Sequence, residues 1–205
     1  MEKTKTPYMV SLCDKILNTA MTAFAQQGIK AVRMDDIAKA LSISKRTLYE
    51  IYDNKEKLLF EGIKRYFEVK DQEFVKLYAE SSNVMEIIMH IYCMNVEEFR
   101  ITSPAFYDDL DKYPSVVAFL NANHEQTHDR FIGFLQRGVD EGYFRSDTNL
   151  ELIAIMFNSI GEYIMNHQLY QRFSMEEMIN NIVLVSLRGF CTEEGIKLLD
   201  KHFRK

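Results

Sequence analysis

From Lys55 to about Tyr78 the chain runs without proline, and Leu58, Leu59, Ile63, Tyr66, Phe67, Phe74 and Leu77 recur at helical spacing. A helix of that length spans ~36 Å at 1.5 Å per residue. It is too long to belong to a small domain alone, so it predicts a rod that starts in one domain and bridges into another. Asn54 stands where an N-cap would begin it. The chain divides accordingly into residues 1–54 and 55–205. Only 3 prolines and 8 glycines occur in 205 residues, against many Leu, Ile, Met, Glu and Lys, which favours an all-α fold.

Just upstream, residues 34–58 read as two short helices around a tight turn. Ile37, Ala38 and Leu41 share one face; Ser42 and Ile43 interrupt; Ser44 can cap a second helix. In that second helix Leu48, Ile51 and Tyr52 point one way, leaving Lys45, Arg46, Thr47 and Tyr49 on the other face. Such a pair, polar and basic outward, is the helix-turn-helix arrangement. A two-turn helix fits the major groove, where Lys and Arg reach guanine edges and Thr touches a thymine methyl. Lys45, Arg46 and Thr47 are therefore the expected base readers. Tyr49 and Lys55 are the expected phosphate contacts that set register, Lys55 at a helix start that also favours an anion. A solvated surface charge is the other reading of Lys55.

This stretch resembles the DNA-binding domain of the TetR family of bacterial transcription regulators. The likeness begins with Ile16, Leu17, Ala20, Phe24 and Gly28 and continues through Ile37, Ala38, Ile43, Ser44, Thr47-Leu48-Tyr49, Tyr52, Lys55 and Leu58. Two positions depart. Ser42 stands where the family usually has a turn glycine, at a cost of about 1 kcal/mol if the backbone there is left-handed. Arg46 replaces a residue that is usually small and alters the reading face. The resemblance implies a three-helix reading domain, a larger helical ligand-binding and dimerisation bundle, a homodimer on a double-stranded operator, and a repressor released by a small apolar or amphipathic effector.

Charge is distributed to match. Residues 1–60 hold 10 Lys/Arg and 7 Asp/Glu, a balance of +3, whereas residues 61–205 hold 15 and 23, a balance of −8. The overall −5 thus conceals a basic segment around the helix-turn-helix. Lys3 and Lys5 in the polar amino terminus can also touch phosphate. Cys13, Cys93 and Cys191 are odd in number and far apart, a pattern of reduced thiols. No apolar run approaches the ~20 residues of a membrane span and no signal-peptide core is present, so a cytoplasmic protein without a membrane partner is expected.

Before the bridging helix, Leu12, Ile16, Ala20, Ala23 and Phe24 predict a helix over about 10–27, closed by Gly28. After it, Ser81-Ser82-Asn83 is a break, and helices are predicted over 84–101, 115–141, 150–169, 175–190 and, capped by Thr192, to about Phe203. Pro104 and Pro114 punctuate a short segment at 105–112. Gly142 and the aromatic turn after it again resemble the TetR family. The broad apolar faces of 150–169 and 175–190 suit either ordinary core or a four-helix dimer bundle with a second copy. Tyr92, Phe99, Phe106, Phe131, Phe134, Met156 and Tyr163 suit either core or a ligand cavity. The resemblance turns the set toward a cavity.

His124-Glu125-Gln126-Thr127-His128 is formally an HExxH pattern, in which two histidines bind zinc and a glutamate activates water. Polar neighbours such as Asp129 and Arg130, and the lack of an HExxHxxGxxH continuation, argue against a protease site. A zinc-dependent hydrolase or a metal-sensing regulator built on His124 and His128 is the alternative to the reading above. No GxGxxG, GxxxxGK[ST] or GxSxG motif occurs. The expectation is a regulator rather than an enzyme, with no metal and no cofactor.

Overall fold

The computed structural model describes residues 7–203, the side chains of residues 99, 124–126 and 202 lying outside that description. Eleven α-helices occur among the described residues, with no β-strand beyond an isolated bridge between Phe144 and Cys191. They are α1 (Pro7–Gln27), α2 (Met34–Ala40), α3 (Lys45–Ile51), α4 (Lys55–Glu80), α5 (Val84–Ile101), α6 (Pro104–Leu110), α7 (Pro114–Asp140), α8 (Leu150–Asn166), α9 (Met175–Met178), α10 (Leu184–Phe190) and α11 (Glu193–Phe203). No described helix is long and apolar enough to cross a membrane.

Helix boundaries follow local chemistry. The Asn54 carboxamide accepts the Lys57 N–H at 2.8 Å, Asn83 accepts that of Glu86 at 3.0 Å, and Thr192 accepts that of Gly195 at 3.2 Å, each occupying a donor that a helix start leaves open. α1 ends at Gly28, whose φ of 85° is left-handed and whose missing Cβ leaves room for Ala105. A methyl there would lie 2.8 Å from the Ala105 Cβ. The 175–190 stretch departs from the single helix expected of it. A π-helical turn, Ile179–Val183, separates α9 from α10. Such turns insert a wider ring into the hydrogen-bond ladder and are frequent at functional sites.

The chain forms two compact units: one takes in the chain to Asp71 together with Ile101–Asn121, the other Gln72–Arg100 and Ala122 onward. The first is larger than residues 1–54, because Leu58, Leu59 and Ile63 of α4, Leu110 of α6 and Val116 of α7 belong to the same apolar core as Ile16, Ala20, Phe24, Ile37 and Leu48. The second unit has its own core around Val84, Ile87, Leu135, Phe144 and Ala154. In it Arg137 donates to the carbonyls of Tyr78 at 2.6 Å and Ser81 at 2.9 Å, satisfying groups left open by the end of α4. Cys13 and Cys191 are buried free thiols, and burial pushes the Cys191 thiol up to about 12, which keeps it protonated and unreactive at neutral pH.

Candidate nucleic-acid interface and ligand cavity

The turn between α2 and α3 is a Schellman motif. The Ile43 N–H bonds to the Ala38 carbonyl at 3.0 Å and the Ser42 N–H to that of Lys39 at 3.1 Å. Its pivot, Ser42, holds φ at 54°, the left-handed conformation that glycine adopts without strain. Ser44 then caps α3: its hydroxyl accepts the Thr47 N–H at 3.0 Å. On the inner face of α3, Leu48 is fully buried, which sets the roll of this two-turn helix. Lys45, Arg46 and Tyr49 consequently face outward, with Thr47 half-buried and its hydroxyl on that of Ser44 at 2.8 Å. Without DNA the two cations rest on carboxylates, Lys45 on Asp35 and Arg46 Nε on Glu50 at 2.8 Å. Both pairs are solvent-exposed and weak, so the cations can exchange a carboxylate for a phosphate or a base edge.

Lys55 has partners within the protein. Its ammonium donates to the carbonyls of Ile29 at 2.8 Å and Val32 at 2.9 Å, and more distantly to Lys30 at 3.4 Å. Three N–H donors thus point at the loop between α1 and α2, and burial lowers the ammonium's pKa, partly offset by the charge of Asp109. These bonds brace the loop between α1 and α2 against the start of α4. Asp109 of α6 completes the brace. It is the buried carboxylate of this unit among the described residues and accepts the Lys30 N–H at 2.7 Å and the Lys112 ammonium at 2.6 Å. Burial alone would raise its pKa; the hydrogen bonds and charges of Lys112 and Lys30 outweigh this and hold it below the usual carboxylate value. Nothing in the local sequence marks Asp109, whose main-chain partner lies 79 residues away.

Of the aromatic and Met residues expected at a ligand site, Tyr92, Phe131 and Phe134 line one cavity of about 370 Å³ in the second unit. Phe74, Phe157 and Phe190 share its wall. Met156 and Tyr163 line a different hollow of about 300 Å³ with Ile160 and Ile182. Phe106 belongs to the core of the first unit, packed with Tyr107 and Leu110, because α6 lies with the reading helices and not with the cavity. The Phe99 side chain is outside the described residues. So are those of His124 and Glu125, while His128 Nε2 sits 3.1 Å from Glu151 Oε1.

A capped recognition helix after a Schellman turn, with Lys45, Arg46 and Tyr49 outward, defines a helix-turn-helix protein. Residues 16–61 match the family model described as bacterial regulatory proteins, tetR family. Similar proteins include the HTH-type transcriptional repressor KstR2 of Mycolicibacterium smegmatis, 25% identical over 68% of this chain and 71% of that protein. Another is the biofilm operon icaADBC negative transcriptional regulator IcaR of Staphylococcus epidermidis, 24% identical over 65% of this chain and 83% of its own length. A transcriptional regulator of Saccharomonospora viridis, solved in complex with choline, shares the fold with a TM-score of 0.71 at 16% identity, over 90% of this chain and all of that one. The chain is thus a DNA-binding transcription regulator and not an enzyme. Its helix-turn-helix segment, residues 16–61, is TetR-like.

Proposed function

We propose that the protein is a cytoplasmic homodimeric repressor, released from its operator by a small apolar or amphipathic effector. Residues 1–54 read DNA and residues 55–205 carry the effector site and dimer surface. The cavity of about 370 Å³ with an almost wholly apolar wall carries this reading, since a core built for stability alone is close-packed. Exposed Leu152, Ile155 and Tyr163 of α8 and Val185 of α10 support a dimer face, where a second copy would cover side chains that water solvates poorly. A similar protein named as a repressor and a fold neighbour solved with a bound small molecule support a repressor that answers to a ligand.

Two recognition helices related by a twofold axis must meet half-sites ~34–36 Å apart, or a multiple of that. An effector that prefers a dimer with a different spacing lowers operator affinity, and a coupling of about 1–3 kcal/mol suffices for induction. Lys45, Arg46 and Thr47 read bases and Tyr49 holds a phosphate. Selection of bound duplexes from a random library, followed by release with candidate effectors, tests the whole reading. Arg46→Ala should change the selected sequence, and an unchanged sequence would remove Arg46 from the readers.

A further inference from the structure

The chemistry of the cavity wall narrows the effector, on the reading that this cavity is the effector site. Ile88, Ile91, Tyr92 and Asn95 project from α5 into it at the i, i+3, i+4, i+7 spacing of one helix face. Three of these four are hydrocarbon or aromatic; the fourth is a carboxamide. No carboxylate, ammonium, guanidinium or imidazole belongs to the wall among the described residues. Tyr92 already donates its hydroxyl proton to the Asn180 carboxamide at 3.0 Å, which joins α5 to the π-helical turn. Asn95 is different. It is half-buried, and its carboxamide makes no hydrogen bond to another described side chain or backbone group. It therefore offers both a donor and an acceptor inside a wall that is otherwise apolar.

A polar group half-removed from water gains from any partner that reaches it, and a site built around such a group rejects molecules that leave it unmatched. A charged ligand group meets no countercharge on this wall and would lose hydration without compensation. We infer that the effector is an electrically neutral, largely hydrocarbon molecule carrying a hydroxyl or carbonyl oxygen, and that Asn95 recognises that oxygen.

Four probes of equal chain length separate the possibilities: decane, 1-decanol, decanoate and decyltrimethylammonium, each titrated into the full-length chain and followed by tyrosine fluorescence. Decanol should bind about five- to tenfold more tightly than decane, one net hydrogen bond. It should exceed both charged probes by at least about tenfold. Asn95→Leu should erase the difference between decanol and decane while keeping decane binding, which also reports that the variant is folded. Asn95→Asp should reverse the order in favour of decyltrimethylammonium. Decanoate binding as tightly as decanol, or a decanol preference that survives Asn95→Leu, overturns the inference and leaves the cavity an effector site. Should none of the probes bind, or Leu184→Trp at the wall leave their binding intact, the effector-site reading falls together with the inference.

Discussion

The two compact units solve the same packing problem with opposite results. In the first, Ile16, Ala20, Phe24, Ile29, Leu48, Leu58 and Leu59 have no exposed surface, and the loop between α1 and α2 has backbone groups held by Lys55 and Asp109. In the second, five phenylalanines surround open volume, a π-helical turn interrupts the last long helix, and one wall carboxamide has no hydrogen-bond partner among the described residues. A DNA reader must hold its side chains within a fraction of an ångström of base edges, so close packing serves it. A ligand-responsive bundle needs space and alternative packings, both of which lower local stability. The contrast teaches that apolar content alone does not distinguish the two jobs; how completely it is packed does.

The largest effect that would break this contrast is a matched pair of truncations. Leu48→Ala should cost about 2–5 kcal/mol in urea denaturation, because a fully buried side chain leaves a cavity behind. Leu184→Ala, at a wall that already borders open space, should cost clearly less than Leu48→Ala. Comparable losses would show that the second unit is packed as tightly as the first.

Lys55→Met tests the brace. Removing a charged donor from the loop carbonyls should cost about 1.5–3 kcal/mol, and operator binding should recover when stability is restored by lower temperature. A variant of wild-type stability that binds every duplex less tightly would return Lys55 to the phosphate contacts.

Asp109→Asn should cost about 1–3 kcal/mol at neutral pH, the range for a buried group that loses its partners. The carboxyl's pKa is lower folded than unfolded, so its contribution is complete above the unfolded value and disappears as pH falls through the folded one. The wild type and the variant should therefore converge in stability toward acid. A difference constant over that range would mean that shape, not charge, holds Lys30.

The smallest effect sharpens the picture of the turn. Ser42→Gly should stabilise by up to about 1 kcal/mol by relieving a left-handed backbone, read as a small rise in Tm with unchanged DNA selection.

Much of this architecture could be read from residues close together in the chain. The bridging helix, the caps at Ser44, Asn54, Asn83 and Thr192, the ends at Gly28 and Gly142, and the left-handed turn at Ser42 depend on neighbours within about one turn of helix. Hydrophobic spacing and capping chemistry record those contacts directly. The outward face of α3 was legible for the same reason, because burying Leu48 dictates where Lys45 and Arg46 point. Tertiary structure alone decided that Lys55 reaches a loop 26 residues back, that Asp109 holds Lys30 across 79 residues, and that Tyr92 meets Asn180 across 88. It also decided that Phe106 packs in the first unit while Phe131 and Phe134 face a cavity. These residues have the same local pattern whichever partner they meet. What separates a filled core from an empty one is the meeting of distant helices, which no short stretch of chain encodes.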